Sequence, residues 1–108
     1  METARTEHTH GPLAGLRILD ISTVVAGPFA SGLLADYGAD VTKVEMPGRG
    51  DALRALAPHK DGVSLWWKVT NRNKKAVTLD LRLPEGRDNS HNRLRRCWRT
   101  LDRVDCKV

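Results

Sequence analysis

The turn VAGP at positions 25–28 holds residues that suit contact with a phosphorylated ligand. It follows a predicted strand and precedes a predicted helix, and open α/β sheets bind ligands at such turns. Pro28 suits the first helical position, which leaves the N–H groups of Phe29, Ala30 and Ser31 free to favour an anion. The turn therefore predicts an anion site, with a plain strand-to-helix connection as the structural alternative.

A basic run at positions 71–75 (NRNKK) is the second chemical feature. Together with Arg82, it places four cations within twelve residues. An arginine binds phosphate through two parallel N–H donors, and a lysine meets it as a point charge. Lys74 and Arg82 are therefore candidate phosphate ligands, and a solvated basic turn is the alternative.

Glu45 ends a predicted strand 18 residues after Gly27. A dinucleotide-binding fold carries an acid for the ribose hydroxyls at such a place. The glycine pattern G-x-G-x-x-G is missing around Gly27, so the sequence argues against a nicotinamide cofactor.

The sequence shows no pairing of a nucleophile with a base. Cys97 and Cys106 have no nearby base, and two cysteines are too few for a zinc site or a disulfide scaffold. The histidines are scattered over the N-terminal segment and loops, at His8, His10, His59 and His91. The local chemistry therefore assigns no catalytic residue and no metal site.

A strand, a helix and a second strand must position these residues. Branched apolar residues predict a strand at 16–21, a helix follows at 29–37, and a second strand follows at 40–45. This span of about 30 residues matches a right-handed crossover between parallel strands. Clean alternation predicts a third strand at 76–81, and Asp51 is a candidate N-cap for a short helix. The predicted fold class is α/β, an incomplete Rossmann-like βαβ unit with parallel strands.

Two groups of large apolar side chains bear on packing. Phe29, Leu33 and Leu34 share one face of the predicted helix. Trp66 and Trp67 lie in a segment, 63–69, that suits a strand or a helix. We expect at least one of these tryptophans to pack in the core.

The composition excludes several classes of protein. The chain has 108 residues, a net charge of +5, 40% hydrophobic residues and 29% charged residues, unlike a disordered or membrane protein. Its longest nearly apolar run covers 12 residues, whereas a membrane span needs about 20. The first ten residues lack an apolar signal segment, so we expect a cytoplasmic protein with no membrane partner.

Ordered blocks of this sequence resemble the N-terminal portion of the class III CoA-transferase family, which includes formyl-CoA transferase, carnitine CoA-transferase and α-methylacyl-CoA racemase. The blocks are PLAGLRILD at 12–20, AGPFA at 26–30, LLADYGADV at 33–41, KVE at 43–45, Pro47, Gly50-Asp51, Arg54, NRNKKAVTLDL at 71–81 and PEGR at 84–87. Several blocks in order over about 75 residues make the match specific.

The resemblance implies a Rossmann-like domain that binds coenzyme A as acyl-CoA and moves CoA between carboxylic acids. By analogy, positions matching Val25, Ala26, Leu79 and Arg82 contact CoA, and the basic run adds Lys74. A family arginine is replaced by Met46. The resemblance also implies an interlocked homodimer and a catalytic aspartate beyond this chain. That aspartate would form an anhydride and then an aspartyl-CoA thioester.

The sequence changes character after Arg87. Residues 1–86 carry 11 Lys/Arg and 10 Asp/Glu, whereas residues 87–108 carry 7 and 3. We expect a disordered leader at 1–11, the family domain at 12–87 and a divergent basic tail at 88–108.

The tail has three interpretations: a frameshift product, a real amphipathic helix, or a basic arm for nucleic acid, the last disfavoured. We expect the chain alone to be an inactive transferase fragment. A racemase fragment and a small basic binding module without enzymatic activity are the alternatives.

Overall fold

Three parallel strands form the centre of the fold. The computed structural model describes residues 10–101, and the side chains of residues 10–92. Strands β1 (Arg17–Asp20), β2 (Asp40–Glu45) and β5 (Lys74–Thr78) form a sheet in the order β1-β2-β5. Both pairings are parallel, with Asp20 opposite Lys43. The predicted α/β class with parallel strands is confirmed.

The third strand begins two residues earlier than the sequence indicates. Asn73 has a φ of 62°, which places it in the left-handed region where asparagine is favoured, so the turn ends there. Lys74 is consequently the first strand residue, opposite Val41 of β2. Part of the basic run predicted as a turn therefore belongs to the sheet.

Helix α1 (Ala26–Asp36) connects β1 to β2 and packs on the sheet through its small residues. Its buried residues are Pro28, Ser31, Gly32 and Ala35. The large apolar side chains face outwards, since Phe29, Leu33 and Leu34 are all exposed. The buried apolar cluster formed by Ala35, Ala39 and Val41 is correspondingly small, with Leu13, Leu16 and Ile18 packed against it.

Between β2 and β5 the chain forms short elements. They are a 3₁₀ helix (Ala52–Ala55), the antiparallel strands β3 (His59–Lys60) and β4 (Val63–Ser64), and helix α2 (Leu65–Thr70). The predicted N-cap is confirmed, because the Asp51 carboxylate accepts the Leu53 N–H at 2.9 Å.

Neither tryptophan belongs to the buried core, so the expectation that at least one packs there is wrong. Trp66 is 43% exposed, and Trp67 is half-buried. The guanidinium of Arg54 lies 3.7 Å from the centre of the Trp67 ring, a cation–π contact. An indole placed near the surface can hold a cation, which a fully apolar core would exclude.

Helix α3 (Pro84–Leu101) follows the sheet and contacts β1. It includes residues 88–101 of the segment 88–108, and the side chains from residue 93 onwards lie outside the described set. Residues 1–9 of the expected leader and 102–108 of the tail also lie outside the described residues. Within the described part, no helix is long and apolar enough to cross a membrane.

Candidate functional site

The candidate site lies at the carboxyl ends of β1 and β2, where two loops leave the sheet. The first loop, residues 21–25, leads into α1, and the second, residues 46–51, leads into the 3₁₀ helix. In parallel sheets the loops at these ends gather on one edge, which is where such folds bind ligands. The two loops border a cavity of about 70 Å³ lined by Ile21, Thr23, Val44, Glu45, Met46, Gly50, Asp51, Leu79 and Leu81.

Asp20, the last residue of β1, is the centre of a buried polar network. Asp20 is 5% exposed, and its two carboxylate oxygens accept hydrogen bonds from three residues. Oδ1 accepts the N–H of Ser22 at 3.0 Å and also its hydroxyl. Oδ2 accepts the Ser31 hydroxyl at 2.6 Å and the Lys74 ammonium at 3.0 Å. The end of the strand is thereby bonded to the loop, to α1 and to β5.

Two lysines balance the charge of the network. The side chains of Lys43 and Lys74 are each 1% exposed. Lys43 lies 2.9 Å from Asp51 Oδ2 and 3.9 Å from Asp20 Oδ1, and it donates to the Ser22 carbonyl. Two buried ammonium groups thus face two buried carboxylates, which is the pairing that buried charges require.

Asp51 holds the loop before α1 in an uncommon conformation. Val24 has a φ of 65°, a value that costs a β-branched residue about 1–3 kcal/mol. Asp51 Oδ1 accepts the Val24 N–H at 3.0 Å, while Lys43 holds the other carboxylate oxygen. Such a conformation persists only where its surroundings determine it, and this pair does so.

Acid is expected to destabilise the fold through Asp20. Burial raises the pKa of Asp20, but hydrogen bonds from Ser22, Ser31 and Lys74, with the charge of Lys43, outweigh it and lower the pKa to about 2. Since the unfolded value is near 4, the stabilisation is complete above about pH 4 and is lost as the pH falls towards 2. We expect a loss on the order of 2 kcal/mol from this group, measured by urea unfolding across that range. The variant Asp20→Asn should show a shallower pH dependence, and a flat profile for the unsubstituted chain would contradict the assignment.

Glu45 is bonded to the protein rather than open to a ligand. Its carboxylate oxygens accept Arg54 Nε at 2.8 Å and Nη2 at 2.7 Å, and Oε2 also accepts the Asp51 N–H at 3.0 Å. The hydrogen bond from Arg54 lowers the pKa of Glu45 below its usual value despite burial. Glu45 therefore fixes the second loop.

The structure places Val25 and Ala26 at the start of α1. Val25 is the N-cap residue and Ala26 the exposed first residue. The Phe29 N–H donates to the Val25 carbonyl at 2.8 Å, so the expectation that it is free for an anion is wrong. The helix begins two residues before Pro28, and the N–H groups without a helical partner belong to that earlier turn.

The other three predicted ligands fall in different environments. Leu79 lies beside the candidate site, where its N–H donates to the Glu45 carbonyl at 3.0 Å and its side chain lines the cavity. The Arg82 side chain is 76% exposed and pairs with Asp80 at 2.7 Å. Lys74, in contrast, is enclosed in the network, where burial lowers the pKa of its ammonium and Asp20 offsets part of that change. The structure thus places Leu79 at the carboxyl ends of the strands, beside the two loops, and buries the Lys74 side chain in the polar network.

Sequence reasoning did not identify Asp20 or Lys43. The only local signal is the spacing of Asp20 and Ser22 directly after a strand, a pattern in which a side chain accepts a backbone N–H two residues on. Nothing local distinguishes Lys43 from a solvent-facing strand residue, because its partner Asp51 belongs to a later loop.

The comparisons with known proteins agree on one family. A model of CoA-transferase family III matches residues 13–96. The chain is 53% identical over 76 residues to a succinyl-CoA–D-citramalate CoA-transferase of Chloroflexus aurantiacus, a match that covers 69% of this chain and 19% of that protein. It is 46% identical over 76 residues to the human succinyl-CoA:glutarate CoA-transferase, covering 69% and 17% respectively.

Solved structures with a similar fold are also found. A protein of Mycobacterium tuberculosis, Rv3272, is similar with a TM-score of 0.66 and 41% identity, over 75% of this chain and 22% of that one. A CAIB/BAIF family protein from Brucella suis is similar with a TM-score of 0.65 and 37% identity, over 72% and 22%. The chain thus spans about a fifth of the length of the relatives it matches.

Proposed function

The chain belongs to CoA-transferase family III, and we propose that it forms part of the CoA-binding site of an enzyme that moves CoA between carboxylic acids. The observation that supports this is the loop 21–25, which two buried ion pairs hold at the ligand-binding edge of a parallel sheet. The resemblance carries the CoA contacts of the family to Val25 and Ala26, which end this loop and begin α1.

The residues at this edge suit the two chemical parts of CoA. The first turn of α1 presents N–H groups that favour a phosphate, and the exposed Arg82 adds a cation able to bind it in a bidentate manner. Leu79 and Leu81 supply apolar surface for the uncharged arm of CoA. Lys74, in contrast, is enclosed in the network and is not open to the ligand.

We further propose that the acids exchanged are dicarboxylic acids. Several of the matched relatives are named for succinyl-CoA or succinate with citramalate, malate or glutarate, all of which are dicarboxylates. The reaction would proceed by attack of an aspartate carboxylate on the thioester carbonyl, forming a mixed anhydride and releasing CoA thiolate. The thiolate then attacks the aspartyl carbonyl, which releases the donor acid and leaves an aspartyl-CoA thioester.

The aspartates of the network are unsuited to the role of that nucleophile. Asp20 and Asp51 are 5% and 4% exposed, and each is ion-paired with a buried lysine. A carboxylate already bonded in this way is a weak nucleophile that no acyl group can reach. We therefore propose that the chain alone binds CoA without turnover. Separately, we propose that the homodimer implied by the resemblance covers exposed apolar side chains of α1 such as Phe29.

Calorimetry with CoA and the 108-residue chain tests this function. We expect measurable binding that weakens about fivefold in Arg82→Ala, the loss of one exposed ionic contact. Lys68→Ala, which removes an exposed cation of α2, is the matched control and should leave the dissociation constant unchanged. Succinyl-CoA with an acceptor dicarboxylate should give no exchange product.

Three results would count against this proposal. Absence of CoA binding would contradict the function, and equal binding by Arg82→Ala would remove Arg82 from the site. Exchange catalysed by the chain alone would show that a nucleophile lies within it.

A further inference from the structure

We propose that Lys74 is a positioning residue that holds the first turn of α1 in place for CoA, and that it does not contact a phosphate itself. This inference rests on the proposed function, since CoA is the ligand concerned. It departs from the sequence-based expectation, in which the basic run that contains Lys74 binds the phosphate directly.

The three N–H donors of the Lys74 ammonium are all in use. Nζ lies 3.0 Å from Asp20 Oδ2, 2.6 Å from the Pro28 carbonyl oxygen and 2.9 Å from Asn71 Oδ1. An ammonium has three donors and no acceptor, so these contacts satisfy it fully. With its side chain 1% exposed, Lys74 has neither a free donor nor an open path to a ligand phosphate.

The partners of Lys74 belong to three parts of the chain, and its ammonium joins them to one another. Asp20 ends β1, Pro28 lies in the first turn of α1, and Asn71 lies in the turn before β5. The Pro28 carbonyl bond acts one turn from Val25 and Ala26. Asp20 reinforces it, because the same Oδ2 atom accepts the Ser31 hydroxyl from the next turn. One ammonium therefore sets the position of the helix start relative to the strand end.

A second ion pair ties the opposite end of α1 to the same turn, and it provides a matched control. Arg72 Nε lies 3.2 Å from Asp36 Oδ1, and its Nη2 also pairs with Oδ2. Arg72 lies in the turn before β5 and Lys74 begins β5, and the side chain of each bonds to α1. Arg72 holds the last turn and Lys74 the first, so only Lys74 should affect the helix start.

The first test measures CoA binding and amide hydrogen exchange in Lys74→Met and Arg72→Met. In Lys74→Met we expect the dissociation constant for CoA to rise about tenfold or more, since misplacement of a binding group is costly. The Phe29 amide, which donates to the Val25 carbonyl, should exchange about tenfold faster. In Arg72→Met both quantities should change less than about twofold.

The double variant Asp20→Asn/Lys74→Met separates positioning from mere support of the fold. Replacing both partners leaves no unpaired buried charge, so we expect the melting temperature to recover towards that of the unsubstituted chain. The Pro28 carbonyl keeps the Ser31 hydroxyl at 3.2 Å but still lacks the Lys74 ammonium that ties it to β5, so CoA binding should stay weak. Recovery of both stability and CoA binding would overturn the proposal. If Lys74→Met does not fold, CoA binding is measured in the double variant instead.

Salt dependence distinguishes positioning from direct phosphate contact. If Lys74 acts through the helix start, the variants bind CoA more weakly but retain the salt dependence of the unsubstituted chain, because no cation has left the ligand. A reduced salt dependence would show direct contact and overturn the proposal. If the unsubstituted chain binds no CoA, the proposed function fails and the proposal with it. If it binds CoA and folded Lys74→Met binds equally well, the positioning role alone fails.

Discussion

Replacing Asp20 by alanine is expected to lower the free energy of unfolding by about 3–5 kcal/mol, the range found when one partner of a buried ion pair is removed. The substitution leaves Lys74 without its anion and takes one of the two carboxylates from beside Lys43. It also removes the acceptor of the Ser31 hydroxyl. Urea unfolding at neutral pH, followed by circular dichroism, measures the loss. A small domain has few kcal/mol in reserve, so the variant should be largely unfolded at 37 °C.

A matched aspartate tests whether burial is the cause. Asp36 pairs with Arg72 on the surface, and the side chains of this pair are 28% and 44% exposed. Because water screens the pair, Asp36→Ala should cost at most about 1 kcal/mol. Asp20→Asn keeps the acceptor oxygen and should lie between the two. Similar losses for Asp20→Ala and Asp36→Ala would show that the network contributes no more than a surface pair.

Gly86→Ala is expected to displace helix α3 and to cost more than the 1–3 kcal/mol that is typical of overpacking, on the order of 4 kcal/mol. A methyl carbon at this position would lie 2.7 Å from the Asp80 carbonyl carbon and closer still to its oxygen. That oxygen accepts the Leu83 N–H at 3.1 Å, so the turn it belongs to cannot easily move. Urea unfolding measures the cost, and amide chemical shifts of residues 79–83 report the displacement.

Asn89→Ala is the control for Gly86→Ala, because Asn89 is exposed on the same helix. Asn89→Ala should change the free energy of unfolding by less than about 0.5 kcal/mol, since the exposed Asn89 side chain is not packed in the interior. If Gly86→Ala also changes stability this little, the close approach of α3 to the Asp80 turn is not maintained in solution. Gly86 of the PEGR block is thus explained by the close approach of α3 to the Asp80 carbonyl, which leaves no room for a side chain, rather than by a need for an unusual backbone conformation.

The sheet and its crossover could be predicted because their signals are local. The apolar pattern at 40–45 coincides with β2, and the span from β1 to β2 has the length that joins parallel strands. The N-cap at Asp51 could be predicted for the same reason, since a cap concerns a residue and the N–H groups just after it. The outward placement of Leu33 and Leu34 could not, because it depends on α1 approaching α2 closely. A methyl carbon at Gly32 would lie 2.7 Å from the Thr70 carbonyl oxygen.

The candidate site divides in the same way between sequence and tertiary structure. The sequence by itself determined the family, the parallel strands and the loop at Val25, because these depend on residue order and short periods. Only the tertiary structure decided what Lys74 does. A lysine in a basic run is solvated unless a carboxylate meets it in the interior, and Asp20 lies 54 residues away in the chain. Burial of a charge depends on partners that folding brings together, so local residue type cannot distinguish a phosphate ligand from a lysine that holds a helix in place.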